Sequence, residues 1–115
     1  MIIDLKNFVN DPRVEKVLTA LCSGAIRLNK EILLSDTGGN HRRLVGLNSD
    51  GDSQKQLDVI ADDIFCSSLC AAEVGFYASE EREAIEMLNK NDNLGVAIDP
   101  LDGSSNIDSN VSIGT

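Results

Sequence analysis

Gly95-Val96-Ala97-Ile98-Asp99-Pro100-Leu101-Asp102-Gly103-Ser104-Ser105-Asn106 runs an apolar tetrapeptide straight into a turn that carries two acids. The tetrapeptide reads as a central strand. Asp99 and Asp102 lie three residues apart on the turn that leaves it, close enough to converge on one point. Pro100 fixes its own φ and removes a backbone donor, which stiffens the turn. With the turn held, the Leu101 carbonyl can face the same point as the two acids. Two carboxylates and a carbonyl form an all-oxygen ligand set, the kind that hard cations such as Mg2+ or Mn2+ prefer. Gly103 permits a backbone conformation that other residues resist. Behind it, the amides of Ser104, Ser105 and Asn106 can open a helical turn and cradle a phosphate. A lone Asp-Pro or Asp-Gly is usually a surface turn; the whole octet after an apolar strand is a far more specific pattern.

Upstream, Phe76-Tyr77-Ala78 leads into Ser79-Glu80-Glu81, which reads as a short buried strand ending on acids. Glu83 to Leu88 alternates loosely, as an edge strand or a helical turn, and strand is the favoured reading. Lys90-Asn91-Asp92-Asn93 is a turn by composition. Two helices precede these strands. Asp11 suits an N-cap and Pro12 the first helical position, where its missing donor is not needed. Val14, Val17, Leu18, Leu21, Ala25, Leu28 and Ile32 then form one helical stripe running to about Leu34, ended by Ser35-Asp36-Thr37-Gly38-Gly39. Asp36 to Gln56 is polar and reads as a long loop, either a solvated linker or a functional segment. Its Asp50-Gly51-Asp52 cluster keeps a metal-associated role open. In the second helix Leu57, Ile60, Ala61, Ile64, Phe65 and Leu69 share a face. Asp58 and Asp62 lie on another face at i and i+4, where like charges repel. That face is either solvated or near something cationic. Val111 to Thr115 begins a further strand and stops, as in a chain cut in mid-fold.

Together these elements predict an α/β chain, an α+β layered sandwich in which two helices pack on the start of a mixed sheet. The acidic turn then sits at a strand's C-terminal end, where α/β folds place ligands. The 115 residues fit a single domain. Ten basic and 19 acidic residues give a net charge of −9, which argues against nucleic acid, whose phosphates need clustered Lys and Arg. Anionic membrane surfaces are excluded on the same ground, and no apolar run approaches the length of a spanning helix. The first six residues place an acid early and lack a secretory apolar core. With three Phe, one Tyr and no Trp, the core must rest on aliphatic side chains. The three cysteines, an odd number, imply no disulfide framework. Zinc would need more soft ligands than Cys66 and Cys70 supply, so the thiols read as buried small hydrophobes.

Asp99-Pro100-Leu101-Asp102-Gly103-Ser104-Ser105-Asn106-Ile107-Asp108 resembles the signature of class I fructose-1,6-bisphosphatases. These belong to the lithium-sensitive, magnesium-dependent sugar phosphatases, which share a shorter Asp-Pro-x-Asp-Gly-Ser/Thr element. The longer form resembles the sugar-bisphosphatase branch rather than inositol monophosphatases. Ser79-Glu80-Glu81 resembles the family's Ser-Glu-Glu strand end, and Gly51-Asp52 with Leu57-Asp58-Val59 resembles its Gly-Asp…Leu-Asp-Val stretch. The resemblance covers about Asn48 to Thr115, and the first helix by pattern alone.

The resemblance implies hydrolysis of fructose 1,6-bisphosphate to fructose 6-phosphate and phosphate, in gluconeogenesis or carbon fixation. The implied enzyme is cytoplasmic, needs Mg2+ or Mn2+, takes a sugar bisphosphate as its substrate partner and assembles as a homotetramer. Sedoheptulose 1,7-bisphosphate is the alternative substrate, which nothing in these residues separates. Carried across, the resemblance makes Glu80, Asp99, the Leu101 carbonyl and Asp102 metal ligands, with Asp52 near an additional metal position. Glu81 and Asp58 orient and deprotonate the attacking water. Asp102, Gly103, Ser104 and Ser105 line the phosphate. The acidic excess fits, because clustered carboxylates repel one another and gain stability from cations. In the family a further acidic ligand and the groups that hold the sugar and its second phosphate lie beyond residue 115. Residues 1–115 are therefore expected to be an incomplete N-terminal portion, inactive alone. The N-terminal region gives no clear nucleotide site. A non-catalytic remnant or interaction module, with an exposed sheet edge, is the reading from a different class.

Overall fold

The structure is a computed structural model and describes residues 4–36, 50–103 and 113–115, with the side chains of residues 35–36 and 50–55 outside that description. A short 3-10 turn, Leu5–Asn7, precedes helix α1, Pro12–Asp36. Asp11 caps α1 as its sequence predicts: its Oδ1 accepts from the Arg13 amide at 2.9 Å, and its carbonyl accepts from the Glu15 amide at 3.0 Å.

The buried face of α1 differs from the expected stripe. Leu28 is buried and Val17, Leu18, Leu21 and Ile32 are half-buried, but Val14 and Ala25 are exposed while Ala20 and Gly24 are buried. The contact line is rotated onto small residues because α1 lies close against helix α2, Asp50–Ala71. A Cβ on Gly24 would come within 2.8 Å of the Phe65 ring. Phe65 is itself 1% exposed, so the ring has nowhere to retreat.

Helix α2 begins at Asp50, so residues 50–56 belong to the helix rather than to the polar loop expected there. Asp50 and Asp52 stand in its first turn, where acids favour the positive end of the helix dipole, and Gln54, Lys55 and Gln56 are good helix formers. The rest of the expected loop lies outside the described residues. The expected apolar face holds: Leu57, Ala61, Ile64, Phe65 and Leu69 are buried and Ile60 is half-buried. The helix ends in a Schellman arrangement. The Val74 amide donates to the Leu69 carbonyl and the Glu73 amide to the Cys70 carbonyl, with Glu73 at φ +60°. Leu69 and Val74 both lie in the core cluster, which secures the turn.

That turn feeds strand β1, Phe76–Ser79, which alternates between an exposed Phe76 and a buried Tyr77. Strand β2 is only Glu86–Met87, both exposed, and pairs antiparallel with β1. Strand β3, Gly95–Ile98, pairs parallel with β1 in the register Phe76↔Gly95 to Ser79↔Ile98. The sheet is therefore mixed, as expected, in the order β2-β1-β3. The expected central position of β3 is corrected: among the described residues β1 is central, because the Glu83–Leu88 segment folds back along its other edge. The alternative of a helical turn there is not what forms.

Beyond β3, Pro100 and Leu101 are buried. Asp102 and Gly114 exchange two backbone hydrogen bonds, at 2.8 and 3.0 Å, and the Thr115 hydroxyl donates to the Pro100 carbonyl at 3.2 Å. The expected strand from Val111 is thus, in its described part, one isolated bridge; Val111 and Ser112 lie outside the described residues. The cysteines are a second correction. Cys22 and Cys70 are exposed and only Cys66 is half-buried, where burial pushes its thiol up. Cys66 packs against the core cluster, while Cys22 and Cys70 sit at helical positions that face outward.

Candidate metal centre

Parallel pairing sets the site. Because Ser79 lies opposite Ile98, the next residues, Glu80 and Asp99, leave the two C-terminal strand ends side by side. The Glu80 amide donates to the Ile98 carbonyl at 3.1 Å, carrying the ladder one step further. Ser79 then turns the chain. Its hydroxyl accepts from the Glu81 amide at 3.2 Å and its carbonyl from the Arg82 amide at 3.1 Å. The result is that Glu80, Glu81 and Asp99 each present a carboxylate oxygen within 4.8 Å of the others.

The electrostatics are those of acids crowded together. A hydrogen bond shared with Asp99 pushes the Glu80 carboxyl up, and the charges of Asp99, Asp102 and Asp58 add to it. Burial pushes Glu81 up, reinforced by Asp58, Glu80, Asp62 and Asp99. Asp99 Oδ1 is buried with no hydrogen-bond partner among the described residues, an arrangement that ordinarily costs free energy. An all-oxygen anionic set with an orphaned buried lone pair fits a hard divalent cation.

Of the residues picked out from the sequence, Glu80, Glu81 and Asp99 come together directly. Asp58 and Asp102 are near enough for their charges to act on Glu80, and Asp58 acts on Glu81 as well. Leu101 is buried behind the turn. Gly103 adopts φ +75°, a left-handed conformation that suits glycine. The Asp52 side chain, Ser104 and Ser105 lie outside the described residues.

Asp62 is not on a solvated face. It is 6% exposed and meets the cation that its spacing from Asp58 left open. Its Oδ2 accepts from Arg82 Nε at 2.5 Å and its Oδ1 from the Tyr77 hydroxyl at 2.9 Å. Arg82 also pairs with Glu86 at 2.6 Å and Asp63 at 3.6 Å, and its guanidinium lies 5.3 Å from the Tyr77 ring centre. Burial works against the Arg82 charge, but the hydrogen bonds to Asp62 and Glu86 outweigh it and hold its pKa above the ordinary value. Burial and the bond to Asp62 likewise push the Tyr77 hydroxyl up. Sequence reasoning missed Arg82. The available signal was a cation placed directly after the Glu80-Glu81 pair in a chain with few cations.

No helix among the described residues is long and apolar enough to cross a membrane. A family model for the fructose-1,6-bisphosphatase N-terminal domain matches residues 11–115. The class 1 fructose-1,6-bisphosphatase of Paracoccus denitrificans is 52% identical over 104 residues, 90% of this chain and 31% of that protein. The class 1 enzyme of Rhodobacter capsulatus is 44% identical over 115 residues, all of this chain and 34% of that one. The chain thus spans about a third of the length of these relatives. Among solved structures, fructose-1,6-bisphosphatase of Leishmania major in its holo form superposes with a TM-score of 0.76 at 27% identity, covering 95% of this chain and 34% of that one. Fold, acidic strand ends and sequence agree, and the chain belongs to the fructose-1,6-bisphosphatase family.

Proposed function

We propose that this chain supplies the metal-binding part of a fructose-1,6-bisphosphatase, which hydrolyses the 1-phosphate of fructose 1,6-bisphosphate. The observation that carries the reading is the convergence of Glu80, Glu81 and Asp99 at the parallel ends of β1 and β3 in a member of this family. The activity is proposed for the whole protein, since this chain spans about a third of its relatives. Residues 1–115 form the N-terminal portion of its domain.

Glu80, Asp99, the Leu101 carbonyl and Asp102 would hold Mg2+ or Mn2+, with Asp52 near an additional position. When bound, such an ion lowers the pKa of water and offsets charge that builds on phosphoryl oxygens. The chain's own residues do the rest. Glu81, whose carboxyl is pushed up by burial and by its acidic neighbours, is a stronger proton acceptor than an ordinary glutamate. With Asp58 it orients and deprotonates the attacking water. Asp102, Gly103, Ser104 and Ser105 would line the phosphate, with Gly103 in a left-handed conformation that suits glycine. Cytoplasmic location and homotetrameric assembly of the whole protein are part of the same reading and rest on the family resemblance.

The test is phosphate release from fructose 1,6-bisphosphate by the whole protein with Mg2+. Glu80→Ala and Asp99→Ala are each expected to lower turnover by about 100-fold or more, beyond the usual cost of losing an outer partner of a metal ligand. Near-normal turnover in either variant overturns the assignment.

A further inference from the structure

Five exposed or half-buried acids crowd the ends of β1 and β3 and the adjoining face of α2, yet one turn along that helix a more deeply buried acid, Asp62, is paired on both oxygens. The device is Arg82. Its backbone belongs to the turn that carries Glu80 and Glu81, since its amide donates to Ser79. Its side chain reaches three other elements. Nε meets Asp62 on α2, Nη1 meets Glu86 on β2, and the guanidinium plane lies over Tyr77 of β1. Asp62 in turn uses both oxygens, one on Arg82 and one on the Tyr77 hydroxyl.

This connectivity fixes a distance that the sheet alone leaves unset. Backbone bonds tie Glu80 to β3, through Ile98, whereas α2 is held to this end of the sheet by side chains, with the Tyr77 hydroxyl of β1 and the Arg82 guanidinium both on Asp62. Asp58 lies four residues before Asp62 on α2, one helical turn away on the same face. Clamping Asp62 to Arg82 therefore clamps Asp58 relative to Glu80 and Glu81. The geometry points to Arg82 as a positioning residue that holds the α2 acid Asp58 and the β1 acids Glu80 and Glu81 in mutual register for a divalent cation. A planar fork that bonds two carboxylates in fixed directions suits this task; a lysine's single ammonium does not.

This inference rests on the metal reading of the acid cluster, and its test separates the two by sign. As a mere nearby charge, Arg82 repels a cation, so removing it would tighten metal binding. As a positioning residue, its removal loosens binding. The experiment is titration of the whole protein with Mn2+, followed by calorimetry and by the paramagnetic resonance of free Mn2+, for the native protein, Arg82→Met and Arg82→Lys. The expected result is saturable binding by the native protein, weakened about 10–100-fold in both variants, the range seen for outer partners of metal ligands. Equal or tighter binding by Arg82→Met overturns the positioning role and leaves the metal reading standing. Native affinity in Arg82→Lys overturns it too, since charge without the fork would then suffice. Absence of saturable binding in the native protein overturns the metal reading and this inference with it. Circular dichroism follows the helices throughout; if Arg82→Met loses its helical signal, Arg82→Lys alone decides.

Discussion

Asp62 is buried and Asp99 half-buried with one oxygen enclosed, and the chain treats the two acids in opposite ways. Asp62 has each oxygen occupied, by a guanidinium and a phenol. Asp99 leaves one buried oxygen without a hydrogen-bond partner among the described residues and shares its surroundings with Glu80 and Glu81. Burying a charge is tolerable when it is paired and costly when it is not. The first cluster is thus paired within the described residues, whereas among those residues the second has no such partner and, on the proposed reading, would take its counter-charge from a bound cation. A stabilising region and a functional one, built from the same residue types, are told apart by where the counter-charge comes from.

The contrast yields a graded set of expectations. Asp62→Ala takes from the half-buried Arg82 its buried partner, leaving it Glu86 and Asp63, and from the Tyr77 hydroxyl its acceptor, and is expected to cost about 3 kcal/mol in urea unfolding. Asp99→Asn is expected to leave the metal-free chain at least as stable as the native one. If the two variants destabilised alike, the comparison would break. Gly24→Ala, remote from both clusters, drives a methyl into the Phe65 ring. Its overpacking penalty of about 1–3 kcal/mol outweighs a helix-propensity gain of about 1 kcal/mol, and it should leave metal affinity unchanged.

Acidity sharpens the contrast further. Glu80 and Glu81 titrate above the ordinary value of 4.5 in the fold. A carboxyl raised in the folded state adds stability that is fully present below its unfolded pKa and is lost as pH rises through its folded one. The melting temperature of the metal-free chain is therefore expected to fall as pH rises from the ordinary 4.5 through the raised folded values of these two groups, and saturating Mg2+ should abolish the fall. Asp11, held low first by the Arg13 amide and then by its side chain, works in the opposite sense. Its contribution is present above its ordinary 3.8 and lost only below that, outside this window. A melting temperature that rose across the window would contradict the clustered acids. The smallest effect is expected at Glu73→Gly, which relieves a left-handed backbone worth about 1–2 kcal/mol. It gives up only an exposed ion pair to Lys16, worth a few tenths, so unfolding should show a net gain of about 1 kcal/mol at either end of the window.

What the sequence made legible was local. Asp11-Pro12 marks the start of α1, the apolar face from Leu57 to Leu69 marks α2, and Ser79-Glu80-Glu81 and Asp99 mark two acidic strand ends. Four things were not legible, each for a physical reason. The first turn of α2 is made of Asp, Gly and Ser, which signal a loop unless the helix dipole and tertiary packing are known. Strand order depends on β2, whose two exposed residues carry no periodicity. The Arg82 cluster joins residues 15 to 20 positions apart, and nothing short-range announces it. The small-residue seam at Ala20 and Gly24 hid for a related reason, since hydropathy counts large side chains and close helix contact selects small ones.

The parallel register of β1 on β3 has one more consequence. Side chains alternate faces along a strand, so a slip of one residue would send Asp99 to the side opposite Glu80. Short strands of four residues hold their alignment weakly on backbone bonds alone. On the proposed reading, a cation that needs both acids at once would bind only the correctly aligned pair, and by mass action it would deplete every misaligned one. The acids at these strand ends would then work as a proofreading mark for the fold, rewarding correct alignment of the strands before any substrate arrives.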